Sequence, residues 1–411
     1  MSAPLAELSA RDAGDPLREF RDLFQLREGL IYLDGNSLGA APRAAAACVA
    51  DAITNQWGEG LITSWLAAEW STAPQRIGDK IAALLGARPG EIVAADSTSV
   101  NLFKALTAAL SLRPDRTVIL SETTNFPTDV YMMQGIAAFS GGRLKAVTID
   151  PDGVLDRLAD DVAVLLLTQV HYKSGLVRDM AEVTRRAHAK GVLVVWDLSH
   201  SAGALPVDLN GARADFAVGC GYKFLNGGPG APAFIFVAER HQAAAPVLSG
   251  WFGHASPFAF EDDYRPASGI TRFLCGTPQV LGLAALECGI DLMCRVDMAE
   301  LRRKSIALGD LFIERMKLRC GTFGFELVSP RDPALRGSQI SYAHPNAYEI
   351  VQALKERDVI GDFRAPDILR FGLTPLYLRY VDIAEAVERL RDICLTRAWD
   401  KPEYRIRAAV T

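Results

Sequence analysis

The sequence predicts an α/β fold in which helices sandwich a mostly parallel, seven-stranded sheet, followed by a smaller α+β domain at the C-terminal end. Three observations support this prediction. The chain has 411 residues, more than one compact core normally holds. Between about residue 91 and residue 240, short β-branched runs alternate with helical stretches. Several runs are apolar throughout, as in strands that are covered on both faces.

The central region contains seven such runs, with helical stretches fitting between them. The predicted strands are Glu91–Ala95, Thr117–Glu122, Leu144–Ile149, Val162–Val170, Val192–Asp197, Phe216–Cys220 and Ala233–Val237. The predicted helices are Val100–Leu112, Val130–Phe139 and Met180–Lys190, the last ended by Gly191. This order is the βαβ rhythm of a parallel sheet.

The two ends of the chain have a different character and predict the domain organisation. Long helices (Ala299–Lys317, Ala347–Arg357 and Val381–Arg397) and a short strand (Ser338–Ala343) follow the central region. We therefore expect an N-terminal helical arm at residues 1–70 that packs with the small domain, a large α/β domain at 71–288 and the small domain at 289–411.

Composition excludes several classes of function. Hydrophobic residues make up 49% and charged residues 23%, with a formal net charge of −5 and no basic stripe, so nucleic acid and membrane are not expected partners. The seven cysteines are scattered without a C-x-x-C spacing, so neither a disulfide framework nor a metal site is expected. No apolar signal core or membrane-length run occurs, which predicts a cytoplasmic protein.

Two charged residues at the ends of predicted buried strands are candidates for a catalytic or cofactor-binding site. Asp197 ends one strand, and Lys223 follows the next strand and precedes a glycine-rich run. A carboxylate in a dry place can keep a pyridinium nitrogen protonated, and a nearby lysine can hold an aldehyde cofactor as a Schiff base, so the pair suits pyridoxal phosphate. Taken alone, such an aspartate is more often a turn or helix cap, and such a lysine is more often solvated.

Neighbouring segments supply the other groups that a phosphorylated cofactor needs. Thr98 and Ser99 lie between a strand and a helix, where backbone N–H groups and the helix dipole favour a phosphate, although an ordinary N-cap has the same pattern. Phe126 can stack on a pyridine ring or belong to the core, and Asp129 follows it at the same edge of the sheet. Thr168 can add a hydroxyl there.

Three further polar residues are candidates with structural alternatives. His200 lies three positions after Asp197, so one turn brings both side chains to one ligand, although a lone histidine is more often structural. Tyr222 precedes Lys223 and can bond a phosphate or relay a proton. Arg370 interrupts an apolar strand, where its guanidinium needs an anion: either an amino-acid carboxylate or an internal salt bridge.

Together, these segments resemble the kynureninase family. The resemblance rests on Phe126-Pro-Thr-Asp129, Asp197-Leu-Ser-His200, the run from Tyr222-Lys223 to Gly230, Gly250-Trp-Phe-Gly-His254 and the Arg370 strand. Gly35-Asn-Ser-Leu-Gly39 also fits, and the likeness covers nearly the whole chain in order. It implies a homodimeric, fold type I pyridoxal-phosphate enzyme that hydrolyses L-kynurenine to anthranilate and L-alanine in tryptophan catabolism and NAD biosynthesis.

The resemblance also implies roles for individual residues. Lys223 would carry the cofactor and move protons, Asp197 would pair with the ring nitrogen, and Tyr222 would be the general base. The residues that it assigns to the cofactor are Thr98, Ser99, Phe126, Pro127, Thr128, Asp129, Thr168, Asp197, His200, Tyr222, Lys223, Trp251 and Thr277. Trp251 and Thr277 would reach across the dimer, and Arg370 would grip the substrate carboxylate.

Substrate preference follows from three positions. Family members that favour 3-hydroxykynurenine carry His, Ser and Asn where this chain has Trp65, Gly276 and Thr277, so the resemblance implies a preference for unsubstituted kynurenine.

Two other functions remain open. A cysteine desulfurase or selenocysteine lyase has the same fold, aspartate, histidine and lysine, but the first needs a nucleophilic cysteine on a mobile loop. Cys275 is the cysteine beside proposed site residues, and its neighbours Phe273 and Leu274 predict a core position. A non-catalytic, pyridoxal-binding protein is the second alternative, which the presence of both Lys223 and Asp197 disfavours.

Overall fold

The computed structural model describes residues 4–244 and 246–407. These residues form two compact units. The small unit comprises the described parts of Met1–Arg43, Lys173–Val177 and Arg295–Thr411, and the large unit comprises those of Ala44–Tyr172 and Arg178–Cys294. The division into residues 1–70, 71–288 and 289–411 stays a prediction.

The described part of the chain contains 13 strands. They are β1 (Ile31–Tyr32), β2 (Ile92–Ala94), β3 (Val118–Glu122), β4 (Lys145–Ile149), β5 (Val162–Thr168), β6 (Leu193–Asp197), β7 (Phe216–Gly219), β8 (Phe234–Val237), β9 (Glu326–Leu327), β10 (Gln339–Ala343), β11 (Val359–Ile360), β12 (Asp362–Arg364) and β13 (Ile368–Gly372).

The same residues form 11 α-helices. They are α1 (Leu5–Ala13), α2 (Arg43–Asp51), α3 (Ser64–Ala67), α4 (Ala73–Leu84), α5 (Thr98–Ser111), α6 (Pro127–Phe139), α7 (Met180–Ala189), α8 (Val280–Met293), α9 (Met298–Cys320), α10 (Ala347–Lys355) and α11 (Tyr380–Thr396). A π-helical segment, Ala52–Glu59, continues α2.

The large unit is built on a seven-stranded sheet in the order β2-β8-β7-β6-β5-β3-β4. Strands β4, β3, β5, β6 and β7 are parallel, whereas β8 runs antiparallel to both of its neighbours. The predicted fold class is confirmed, and each predicted strand of this sheet is present with its ends shifted by at most two residues. The reversal of β8 depends on its connection to β7, which the hydrophobic pattern does not encode.

The sheet lies in the core of the large unit because its central strands carry no exposed face. Every residue of β5 and β6 is buried, and α5 covers one face with Leu102, Leu106 and neighbouring alanines. Burial on both faces requires the continuous apolar runs seen in the sequence.

The small unit contains an antiparallel sheet in the order β12-β13-β10-β9, together with α1, α9, α10 and α11. Arg370 lies in β13, opposite Asp362 of β12 on one side and Ser341 of β10 on the other. The N-terminal strand β1 pairs in parallel with β11.

No helix in the described part of the chain is long and apolar enough to cross a membrane. No group of three or more His, Cys, Asp or Glu side chains there is arranged to hold a metal ion.

Candidate active site

The candidate site lies at the carboxyl edge of the parallel strands. Thr168 ends β5 and is paired in register with Asp197, which ends β6. Parallel strands end at the same edge, so adjacent strand ends bring these side chains together. Lys223 lies four positions beyond the end of β7, the next strand in the sheet.

A tight loop holds Tyr222 and Lys223 at this edge. The Gly227 N–H donates to the Gly221 carbonyl at 2.9 Å and the Asn226 N–H donates to the Lys223 carbonyl at 2.9 Å, which closes the loop. A Cβ atom at Gly221 would lie 2.3 Å from the Pro232 carbonyl oxygen, so only glycine fits. The glycine-rich sequence therefore fixes where the lysine stands.

The Lys223 amine is surrounded by aromatic and imidazole groups. Its Nζ lies 3.1 Å from His200 Nε2 and 5.8 Å from the ring centroids of both Phe126 and Tyr222. Lys223 is buried, so these groups replace water around a reactive amine.

Two buried carboxyl groups lie in the same pocket as the lysine. Burial raises the pKa of Asp197, although the Ser199 hydrogen bond and Lys223 oppose this shift. The Ser199 N–H donates to Asp197 Oδ1 at 2.7 Å. Burial also raises the pKa of Asp129 well above its usual value, the Asp197 carboxylate raises it further, and Lys223 lowers it. Such a site favours a bound cation or proton between the two carboxyl groups.

The phosphate end of the predicted site is the first turn of α5. Ser97 is the N-cap, and its Oγ accepts from the Val100 N–H at 3.4 Å. Thr98 and Ser99 follow the cap in the first turn, and both line the pocket. The sequence allowed an ordinary helix N-cap as the alternative role for Thr98 and Ser99. Because Ser97 is the N-cap, neither Thr98 nor Ser99 is needed for capping.

One pocket of the large unit brings together most of the predicted cofactor residues. Its lining consists of Thr98, Ser99, Phe126, Thr128, Asp129, Thr168, Val170, Tyr172, Asp197, Ser199, His200, Tyr222 and Lys223. Val170, Tyr172 and Ser199 were not predicted. Tyr172 packs edge-on against Phe126 with ring centroids 5.2 Å apart. Tyr172 lies just beyond the end of β5, four residues after Thr168, and this position at the edge of the sheet is the feature of the sequence that could have predicted it as a site residue.

Five other predicted residues of the large unit are not part of this lining. Pro127 begins α6 beside the pocket. Gly276 and Thr277 are exposed in a loop. Trp65 packs against Trp70 and Phe252, and Trp251 lines a separate cavity with Phe260 and Tyr264.

The predicted core position of Cys275 is wrong. Phe273 and Leu274 are buried as expected, but Cys275 lies in the loop that follows them and is half-buried. Burial still raises the pKa of its thiol, which disfavours the reactive thiolate.

Arg370 belongs to the small unit, where it forms the internal salt bridge that the sequence left open. Its Nε donates to Asp362 Oδ1 at 2.9 Å and its Nη2 donates to Ser37 Oγ at 2.9 Å. Both Arg370 and Asp362 are buried. The substrate-binding role of Arg370 stays a prediction.

The residues of the pocket fit pyridoxal phosphate. Asp129 Oδ2 and Thr168 Oγ1 are buried and have no hydrogen-bond partner within the part of the chain that the structure describes. Unsatisfied buried polar atoms are costly, so a polar ligand that bonds them would be stabilised. The pocket also offers an amine, an aromatic ring and a helix N-terminus, which match the aldehyde, the pyridine ring and the phosphate of this cofactor.

Comparison with solved structures identifies the fold. The chain is similar to a cysteine desulfurase from Thermococcus onnurineus NA1, with a TM-score of 0.77 and 18% identity, covering 92% of this chain and 98% of that one. It is also similar to a C-DES mutant with glycine covalently linked to its PLP cofactor, with a TM-score of 0.76 and 19% identity, covering 90% and 99%. At these identities the likeness shows the fold: the chain has fold type I, the fold on which the second of these proteins holds its PLP cofactor.

Comparison of sequences identifies the family. A kynureninase from Burkholderia pseudomallei strain K96243 is 52% identical, covering 98% of this chain and 99% of the relative, and one from Pseudomonas fluorescens is 48% identical, covering 98% of both. Residues 301–390 match the model of the kynureninase C-terminal domain. The chain belongs to the kynureninase family, and its cofactor is pyridoxal phosphate.

Proposed function

We propose that this enzyme hydrolyses L-kynurenine to anthranilate and L-alanine, with Lys223 as the lysine that carries the cofactor. The observation that supports these roles is the convergence of Lys223, His200 and Asp197 in one buried pocket, with Lys223 Nζ 3.1 Å from His200 Nε2. Membership of the kynureninase family supports the choice of substrate.

The roles of the residues follow from their chemistry. When bound, pyridoxal phosphate supplies an electron sink for negative charge on the substrate. Asp197 keeps a proton on the pyridine nitrogen, because a buried carboxylate favours a cation beside it. Phe126 would pack against the ring, and Thr98 and Ser99 would hold the phosphate, since all three line the pocket.

Three residues move protons in this proposal. Lys223 removes the proton from the substrate Cα, and the neighbouring imidazole of His200 accepts or returns it. Tyr222 is the candidate base that activates water for attack on the γ-carbonyl carbon, after which the Cβ–Cγ bond breaks. Arg370 supplies the cation for the α-carboxylate.

Unsubstituted kynurenine is the proposed preferred substrate, with 3-hydroxykynurenine as a second one. The support is the set Trp65, Gly276 and Thr277. Gly276 has nothing within 4 Å of the position of a Cβ atom, so this backbone leaves open space where larger residues would project.

A cytoplasmic homodimer is the proposed assembly, with tryptophan catabolism and NAD biosynthesis as the proposed pathway. Exposed apolar side chains between residues 53 and 66 support a protein interface: Ile53, Trp57, Leu61, Ile62 and Leu66. Trp251 and Thr277 lie outside the lysine pocket of their own chain, which agrees with a role in the partner's site.

Cysteine desulfurization is the alternative. The solved structures of that activity are below 25% identical and indicate the fold alone. The lining of the lysine pocket includes no cysteine among the described residues, whereas a desulfurase needs a nucleophilic thiol at its substrate.

The test is anthranilate fluorescence after adding L-kynurenine to the purified holoenzyme. We expect turnover by the wild type, its loss in Lys223→Ala, and normal turnover in Lys145→Ala, because Lys145 is an exposed strand residue. Full turnover by Lys223→Ala would refute the assigned role. Sulfide release from cysteine without anthranilate from kynurenine would establish the alternative.

A further inference from the structure

A buried charge cluster surrounds Arg370 in the small unit, and it contains more carboxyl groups than the salt bridge needs. Asp362 accepts hydrogen bonds from Arg370, from Arg364 Nη2 at 2.7 Å and from Ser37 Oγ at 2.6 Å. Asp34 is a second carboxyl group in the same cluster, and it interacts with Ser37, Asp362 and Arg370.

The backbone fixes Asp34 beside the strand of Arg370. Asp34 forms a parallel bridge with Gly372, and the Gly372 N–H donates to the Leu33 carbonyl at 2.6 Å. Asp34 Oδ1 is buried and has no hydrogen-bond partner among the described residues. A charged carboxylate with an unsatisfied buried oxygen is costly, and protonation reduces that cost.

The pKa values of the two carboxyl groups are shifted in opposite directions. Burial raises the pKa of Asp34 to about 7, and the Asp362 carboxylate contributes to that rise. Burial also acts to raise the pKa of Asp362, but Arg370, Arg364 and Ser37 together outweigh it, so the pKa of Asp362 is lowered. Below about pH 7, the proton of this pair of carboxyl groups therefore resides on Asp34 rather than on Asp362.

The remaining titratable neighbours do not change charge near neutral pH. Burial raises the pKa values of Tyr32 and Tyr377, so both phenols stay neutral. With Asp34 protonated, the cluster holds two cations, Arg364 and Arg370, and one anion, Asp362. With Asp34 ionised, the charges cancel.

We propose that Asp34 is a positioning residue for substrate binding: the proton it holds leaves the cluster of Asp34, Asp362, Arg364 and Arg370 with a net positive charge, which attracts the substrate's α-carboxylate to Arg370. This inference rests on the proposed function, which assigns Arg370 to that carboxylate. Loss of the proton removes the net charge, so substrate affinity falls as pH rises.

The test is the KM for L-kynurenine, measured on the holoenzyme from about pH 6 to about pH 8.5, on either side of the pKa of about 7. We expect the KM of the wild type to rise about tenfold, the effect of one unit-charge interaction in partly buried surroundings, with a smaller change in kcat. In Asp34→Asn, which cannot ionise, this contribution is absent and the KM stays near the low-pH wild-type value. Asp152→Asn, at an exposed position, keeps the wild-type profile.

A second readout does not depend on turnover. The infrared difference spectrum between wild type and Asp34→Asn contains the C=O stretch of a protonated carboxylic acid at the lower pH, and that band disappears at the higher pH. Asp34→Ser is a second neutral replacement if Asp34→Asn does not fold.

The outcomes separate the two proposals. Absence of anthranilate at every pH refutes the proposed function, and the infrared band still tests the proton on Asp34. A wild-type KM that is constant over this range, or an Asp34→Asn variant with the wild-type pH profile, overturns the inference while the proposed function stands.

Discussion

At the scale of single residues, the candidate site places two buried carboxyl groups in one pocket with a single lysine. Asp129 and Asp197 are both buried, and burial raises the pKa of each. Holding both charges without a ligand costs stability, since Lys223 can compensate only in part. The arrangement is therefore favourable for binding a cationic ring and unfavourable for the cofactor-free protein.

Replacement of Asp129 measures this cost. Because the pKa of Asp129 is raised on folding, its contribution to stability is present below the unfolded pKa and is lost as pH rises through the folded value. We expect Asp129→Asn to raise the free energy of unfolding of the cofactor-free protein by about 1–3 kcal/mol at neutral pH. The gain at about pH 8 should exceed that at about pH 5 in urea unfolding.

The control for this stability measurement is Asp160→Asn, at an exposed position, which should be close to neutral at both pH values. An Asp129→Asn gain that does not depend on pH would show that ionisation is not its cause. Kynurenine cleavage by the Asp129→Asn holoenzyme should be slower than that of the wild type, because the carboxylate lines the cofactor pocket.

At the scale of elements, the start of α5 determines the phosphate end of the site. The hydrophobic pattern predicts a start at Val100, but the helix begins at Thr98 because Ser97 is the N-cap. The first turn of a helix has N–H groups without intrahelical acceptors, and Thr98 and Ser99 add hydroxyl groups at the same place.

Loss of these hydroxyls should weaken retention of the cofactor. We expect the double variant Thr98→Ala/Ser99→Ala to raise the dissociation constant of pyridoxal phosphate about 10- to 100-fold, the range for losing hydrogen bonds to a charged group. Equilibrium dialysis followed by absorbance of the bound cofactor measures this change. Ser111→Ala, at the exposed far end of α5, is the matched control and should retain the cofactor normally. Equal retention by both variants would remove Thr98 and Ser99 from the phosphate site.

The elements also show what the sequence can and cannot predict. Strands β5 and β6 are buried on both faces, so the sequence shows each of them as a continuous apolar run. Asp197 marks the carboxyl end of β6. The Arg370 cluster was not visible as a whole. Asp362 precedes Arg370 by only eight residues, but it comes opposite Arg370 through the pairing of β12 with β13, and Asp34, which is distant in sequence, reaches the cluster through the bridge at Gly372. Tertiary pairing of this kind has no local periodicity.

At the scale of the whole molecule, the proposed site needs residues that one chain does not bring together. The lysine pocket contains Lys223 and Asp197, whereas Trp251 lines another cavity, and an apolar surface at Ile62 and Leu66 is exposed. A twofold dimer would explain both the separate position of Trp251 and the exposed apolar surface, if each chain contributes Trp251 to the pocket of its partner.

Mixing inactive variants tests this arrangement. Lys223→Ala and Trp251→Ala subunits are mixed and allowed to reassociate. In each mixed dimer, one site then contains the wild-type Lys223 of the Trp251→Ala chain and the wild-type Trp251 of the Lys223→Ala chain. We expect recovery of about one quarter of wild-type kynurenine cleavage, since about half of the dimers are mixed and each has one intact site. Mixing Lys223→Ala with Asp197→Ala is the control: both residues line the same pocket of one chain, so no intact site forms. If the first mixture recovers no more activity than the control, Trp251 serves the pocket of its own chain and the proposed exchange across the dimer is wrong.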